Sequence, residues 1–199
     1  VLFRSKLMEL QRSYGVLLHI TSLPGKYGTG TIGDEAREFI DLLSENGASY
    51  WQILPTGPVS KVMGYSPYSA LSCFAGNELF IDTDGLRKNG WFRDETLYPS
   101  IGESHYADFE AAADYTFIIL ETAWDNFLNY AAADERDDFN SFCLRHGENW
   151  LDDYSLYRAL AQKYGTFNWL GWDNKLISTD SITFSSEESE LQEVIIFWK

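Results

Sequence analysis

The sequence predicts an α/β fold, and three observations predict it. Two apolar runs rich in β-branched and aromatic residues, Tyr14–Ile20 (YGVLLHI) and Ser49–Leu54 (SYWQIL), have the length and composition of buried strands. Between them, Ala36, Phe39, Ile40 and Leu43 recur at i, i+3, i+4 and i+7, the period of one helix face. Strand, helix and strand within about 40 residues make a βαβ unit, whose strands are parallel and whose crossover is right-handed.

In chain order, a short helix is expected up to about Arg12, followed by the first strand and a loop over Thr21–Gly33. Asp34 is placed to cap the crossover helix, and Gly47 to stop it. Pro55 ends the second strand and opens a long loop. Beyond Asp82 the α/β pattern gives way: Leu86–Pro99 reads as irregular, and Asp82 and Asp84 as a turn before Gly85. Phe109–Ala133 reads as one or two helices with Tyr115, Ile118, Ile119, Thr122 and Phe127 as a stripe, and Asp137–His146 as another. Trp150–Tyr164 is a helix with Leu151, Tyr154, Tyr157, Leu160 and Ala161 on one face. Thr166–Ser186 is expected to be a loop, and Glu187–Lys199 to start a last helix.

Composition narrows the function. A net charge of −15 over 199 residues excludes nucleic acid and anionic membrane surfaces as partners, since both would be repelled. The 7 Trp and 12 Tyr fit either a binder of neutral hydroxylated ligands or simply an aromatic core. Cys73 and Cys143 are too few for a disulfide framework, so a reducing cytoplasm is expected. Arg4, Lys6, Glu9 and Arg12 interrupt any export-signal core. Position 1 is not Met and the chain stops in the apolar Val194–Lys199, so a piece of a longer protein is expected.

The stretch Ser49–Asp82 carries the strongest chemical signal. Prolines 55, 58 and 67 and glycines 57, 64 and 76 hold the loop out of helix and sheet, while Tyr65, Ser66, Tyr68, Ser69, Ser72 and Asn77 supply aromatic faces and neutral hydrogen-bonding groups. That surface suits a sugar, which offers an apolar face and a rim of hydroxyls, and not a phosphate, which calls for Lys or Arg.

Other motifs weigh less. Gly28-Thr29-Gly30-Thr31-Ile32-Gly33 satisfies the dinucleotide fingerprint G-x-G-x-x-G. Thr21–Tyr27 separates it from its strand, however, and the second strand ends in Leu54-Pro55 with no acid for a ribose, so the glycines are read as a tight loop approaching something closely. Cys143-x-x-His146 lacks a second pair of metal ligands. Asp152 and Asp153 point about 100° apart on a helix and fit its first turn, not a catalytic pair. No catalytic residue, metal site or cofactor is assigned.

Three blocks in order now resemble a known family: Ser22-Leu23-Pro24-Gly25-x-Tyr27-Gly28-x-Gly30-x-x-Gly33; Trp51-Gln52-x-Leu54-Pro55-x-Gly57-Pro58; and Ser66-Pro67-Tyr68-Ser69-x-x-Ser72-x-Phe74-Ala75-Gly76-Asn77 with Ile81-Asp82. They are similar to the amino-terminal third of the 4-α-glucanotransferases, also called amylomaltases, and Trp150–Tyr154 and Trp169-x-x-Trp172 continue the likeness. The resemblance implies a partial (β/α)₈ TIM barrel, with Tyr14–Ile20 and Ser49–Leu54 as its first two strands and a mostly helical insertion after the second. It divides the chain into residues 1–58, 59–149 and 150–199: a βαβ unit, the insertion, and helices returning toward the barrel.

The implied activity is retaining transfer of α-1,4-glucan segments between maltooligosaccharides. The family's three catalytic acids lie on later strands, and none maps onto this chain. Ser66 and Tyr68 match positions that the family sets against the donor sugar, Tyr68 as a stacking platform. The chain departs from the family at Tyr65, where a small or acidic residue is common, at Ser69, where Gln is usual, and over Val59–Met63. The implied partners are a maltooligosaccharide or glucan substrate and the missing carboxy-terminal part of the same barrel. A non-catalytic α-glucan-binding module and a nucleotide-binding βαβ protein are the alternatives.

Overall fold

The computed structural model describes residues 12–93, 105–172 and 188–199. The helix expected before Arg12, and most of the loop expected over Thr166–Ser186, lie outside the described residues. Strand β1 (Gly15–Leu17) and strand β2 (Tyr50–Gln52) form a parallel sheet in the register Gly15↔Tyr50, Val16↔Trp51 and Leu17↔Gln52. Helix α1 (Asp34–Glu45) is the crossover. Each regular strand is three residues long, but single bonds continue the ladder: Ser49 N–H donates to the Tyr14 carbonyl at 2.8 Å and Leu18 N–H to the Gln52 carbonyl at 3.1 Å. Gly15 is required by the pairing, because a Cβ there would stand 2.4 Å from the Tyr50 carbonyl oxygen.

Helix α1 starts after Gly33, which takes the cap position itself, so Asp34 is a first-turn acid and not the cap. There its carboxylate meets Lys88 and Arg37, and these cations hold its pKa below the usual range. Asn46, whose side chain donates to the Leu42 carbonyl, and Gly47 at φ 77° end the helix. Ala36, Phe39 and Leu43 turn inward, the Phe39 ring meeting Trp51 edge-on at 5.1 Å, but Ile40 is exposed.

The strands are not buried as their composition predicts. Val16, Leu17, Tyr50 and Ile53 are all exposed, because α1 is the only helix of the crossover and covers one face of two strands. Apolar runs of this kind belong to parallel sheets covered on both faces.

Beyond Asp82 the described chain is mostly helical. Helix α2 (Thr83–Lys88) occupies part of the stretch read as irregular. The Asp82 carboxylate accepts from Gly85 N–H at 2.9 Å, so the expected turn is the first turn of this helix, capped by Asp82. Helix α3 (Phe109–Tyr130) is capped by Asp108 and buries Ala112, Thr116, Ile119 and Ala123, while Ile118 of the expected stripe is exposed. Its Ile119 packs with Phe92, Tyr27 and Leu86 in a small core. Helix α4 (Ala133–His146) begins four residues before the expected start, where the Glu135 side chain accepts from Ala132 N–H at 2.8 Å.

Helix α5 (Leu151–Tyr164) and helix α6 (Gln192–Trp198) pack on each other. The buried face of α5 runs through Leu151, Ser155, Ala159 and Leu160, and it includes the buried Arg158 that sequence patterning did not mark. No described helix is long and apolar enough to cross a membrane.

Many of the aromatic residues pack half-buried on one another. Trp124 stacks on Phe127 at 5.4 Å and meets Phe139 at 5.5 Å, Trp91 meets Phe127 at 5.6 Å, and Trp172 stacks on Tyr164 at 5.9 Å.

Candidate functional site

Both loops that the sequence singled out leave the carboxyl ends of the paired strands, side by side because the strands are parallel. His19, two residues before the Thr21–Gly33 loop, ties them together: its Nδ1 accepts from Leu54 N–H at 3.2 Å, and its ring meets Phe80 edge-on at 5.5 Å. Burial lowers the His19 pKa, and an accepting Nδ1 requires the neutral ring. Trp51 adds a second tie, its indole N–H donating to the Leu18 carbonyl at 2.7 Å.

In the first loop the three glycines approach protein and not ligand. A Cβ on Gly30 would lie 2.3 Å from the Ile20 carbonyl oxygen, one on Gly33 2.9 Å from the Asp82 carboxylate, and one on Gly28 2.6 Å from the Asp108 carbonyl oxygen. Gly28 also has φ 98°, and its carbonyl accepts from Asp108 N–H at 2.8 Å. The nucleotide reading of this motif therefore loses its basis, since the close approaches that a pyrophosphate would need are taken by the chain itself.

The second loop is a closed unit. Asn77 N–H donates to the Thr56 carbonyl at 3.0 Å and Leu71 N–H to the Pro58 carbonyl at 2.8 Å, which pins its two ends together. Gly57 passes under Ser72, where a Cβ would be 2.4 Å from the Ser72 carbonyl oxygen. The Ser72 hydroxyl accepts from Phe74 and Ala75 N–H, and the buried Asn77 side chain accepts from Leu79 N–H at 3.0 Å. Several of the neutral polar groups read as sugar partners thus hold the loop's own backbone.

Ser66 and Tyr68 sit at the outer part of this unit. Pro67–Ser69 is a single 3₁₀ turn, closed by Ser69 N–H donating to the Ser66 carbonyl at 3.1 Å. Ser66 is half-buried, and the Tyr68 ring is 74% exposed. Val62, Met63 and Phe74 of the same loop are exposed as well. An aromatic ring fixed on a rigid turn and bare to solvent is what a stacking platform requires.

The other candidates fall to structural roles. His146 lies between Phe142 at 4.7 Å and Trp150 at 6.1 Å, and among the described residues no group of His, Cys, Asp and Glu could hold a metal. Asp152 and Asp153 are in the first turn of α5, with Asp152 paired to Lys199 at 2.5 Å.

The feature that sequence reasoning missed is Arg158. Its buried guanidinium donates to the Glu78 carboxylate at 2.8 Å and to the Tyr154 hydroxyl at 2.9 Å, and it lies 3.7 Å from the Trp198 ring centroid. Burial pushes the Tyr154 phenol up to about 12. Arg158 fastens the base of the second loop to α5 and α6, beside a cavity of about 530 Å³ lined by Trp91, Trp124, Phe139 and Trp150. Neither Ser66 nor Tyr68 lines that cavity, whose wall is mainly apolar with Asn77, Glu78, Arg158 and Lys199 among its members. Glu78 stands 80 residues away in sequence, a separation that no local pattern reveals.

A 4-alpha-glucanotransferase family model matches residues 18–199. The chain belongs to the 4-alpha-glucanotransferase family. A 4-alpha-glucanotransferase of Thermus thermophilus is 38% identical over 190 residues, covering 96% of this chain and 37% of that protein. One from Aquifex aeolicus is 40% identical over 167 residues, covering 83% and 32%. Among solved structures, the amylomaltase from Streptococcus agalactiae in complex with acarbose superposes with a TM-score of 0.84 at 33% identity, covering 94% of this chain and 37% of that one. The chain thus spans about a third of the length of these relatives.

Proposed function

We propose that these 199 residues are the amino-terminal part of a 4-α-glucanotransferase that moves α-1,4-glucan segments between maltooligosaccharides. On this reading β1 and β2 are the first two strands of a (β/α)₈ barrel, residues 59–149 are its insertion after the second strand, and residues 150–199 lead back toward the barrel. The observation that carries the reading is the Ser66–Tyr68 turn, a bare aromatic face on a self-pinned loop at the carboxyl end of a parallel strand, which is where barrel enzymes build their sites.

Two further observations support it. The exposed apolar residues Val16, Leu17, Tyr50 and Ile53 fit a sheet that other strands complete, and the family relatives extend well beyond the matched part, which is 37% of the Thermus thermophilus protein. The remaining barrel strands are then the partner of this piece, and they supply the nucleophile, the acid/base and the stabilising acid. A retaining mechanism needs two carboxyl groups about 5–5.5 Å apart, and it becomes transfer when a second glucan replaces water.

This chain's own share is to bind and orient the donor sugar: Tyr68 by its ring face, Ser66 by its hydroxyl. No cofactor or metal enters this scheme. The compartment on this reading is the cytoplasm, in keeping with Cys73 and Cys143, both unpaired. The reading as a non-catalytic glucan-binding module would share the exposed Tyr68 face, but the family match over residues 18–199 favours the transferase. The test is product analysis with maltotriose on the longer protein: glucose together with maltooligosaccharides larger than the substrate supports transfer, and hydrolysis products alone overturn it.

A further inference from the structure

The strained residue of the sugar-loop region is Tyr65. Tyr65 has φ 54°, and it is the one non-glycine residue with positive φ among the described residues. It follows Gly64 at φ 62°, so two successive left-handed residues reverse the chain between the Lys61–Met63 and Pro67–Ser69 turns. A bulky aromatic residue rarely adopts that conformation, and it persists only where surrounding contacts enforce it. Those contacts are visible. The Tyr65 ring stacks on Phe109 of α3 at 5.3 Å with 16° between the planes. Lys61 pairs with Glu110 of the same helix at 2.8 Å, and both Met63 N–H and Tyr65 N–H donate to the Ser60 carbonyl.

We propose that Tyr65 is a positioning residue, which by stacking on Phe109 clamps the Ser66–Tyr68 turn to the first turn of α3 and so sets where the Tyr68 ring stands. The inference rests on the donor-wall role of Ser66 and Tyr68. Ser66 follows Tyr65 directly and is held extended by Pro67 at φ −69°, ψ 124°, so a change in the Tyr65 backbone is passed on without a flexible joint. The exposed Lys61–Glu110 pair is too weakly held to do this alone. The helical insertion, through Phe109, thereby becomes part of what fixes the sugar platform.

The experiment compares Tyr65→Phe, Tyr65→Gly, Phe109→Ala and the double variant Tyr65→Gly/Phe109→Ala in the full-length protein, with Tyr68→Ala as an independent arm. The readouts are kcat and KM for maltotriose disproportionation together with Tm. Tyr65→Phe keeps the ring and is expected within twofold of the parent. Tyr65→Gly relieves the backbone and removes the ring, so Tm is unchanged or higher while kcat/KM falls about fivefold, with kcat lowered. Phe109→Ala gives the same loss, and the double variant is no worse than the poorer single, since one contact is removed twice.

Parent-like kcat/KM in Tyr65→Gly beside an impaired Tyr68→Ala overturns the positioning role and leaves the donor wall standing. So do losses that multiply in the double variant, or a loss in Tyr65→Gly that is matched by a lower Tm and is not restored by Phe. A parent-like Tyr68→Ala overturns the donor wall itself, and the inference with it.

Discussion

Replacing Tyr68 by Ala is the perturbation that separates a binding surface from a packed loop. The ring is 74% exposed, so its removal deletes little buried area from the unliganded protein and should shift stability by no more than about 0.5 kcal/mol. If the ring is the floor under the donor sugar, its contact strengthens as that sugar flattens toward the oxocarbenium-like transition state, and the loss falls on turnover. A sugar-facing aromatic contact of this kind amounts to about 1.4 kcal/mol, a tenfold drop in kcat/KM. Tyr68→Phe keeps the face and should stay within a few-fold of the parent. The assay is glucose release from maltotriose by the full-length enzyme beside a thermal melt of the same preparations. A Tyr68→Ala enzyme that melts early but turns over normally at low temperature would remove this residue from the site.

Three further expectations concern the scaffold. His19 accepts from Leu54 N–H as the neutral ring, and its folded pKa is depressed by burial. An unfolded chain takes up this proton near pH 6.5, so below that pH the unfolded state holds more protons and Tm should fall as pH drops from about 7 to 5.5. In His19→Asn, which keeps an acceptor but no titration, that decline should be shallower, and an identical slope would refute the assignment.

Arg158→Met strands the Glu78 carboxylate at the edge of the cavity and should cost about 2–3 kcal/mol in urea unfolding, less than breaking a fully buried pair because Glu78 keeps a quarter of its side chain exposed. Adding Glu78→Gln should recover part of that loss. Gly30→Ala drives a Cβ into the Ile20 carbonyl and should destabilise by about 2 kcal/mol, whereas Gly171→Ala, with open space around it, should stay within about 0.5 kcal/mol. Equal effects at the two glycines would contradict the tight-loop account.

What was legible in the sequence is what local chemistry determines. The parallel βαβ unit follows from two apolar runs around a 3.6-period helix, and the helices after residue 108 follow from periodicity. The spacing of Gly28, Gly30 and Gly33 announces close approach but not its object, which proved to be the chain's own backbone and the Asp82 carboxylate. Helix α2 was hidden because Asp82-Thr83-Asp84-Gly85 serves equally well as a turn or a capped first turn. The bare strands could not be read either, since composition reports what a residue needs covered and not whether the cover is present. Arg158 with Glu78, and Tyr65 with Phe109, join residues far apart in sequence, and only the fold brings them together.

Disproportionation of maltotriose is the measurement closest to the central claim. The longer protein, with the remaining barrel strands, is expected to produce glucose and maltooligosaccharides longer than three units, without net hydrolysis at early times. Residues 1–199 alone are expected to release no glucose above the blank, because on the proposed reading the sugar platform lies in this piece and the two retaining carboxylates in the remainder. Transfer by the isolated 199 residues, or a full-length protein that only hydrolyses or only binds glucan, would contradict the account.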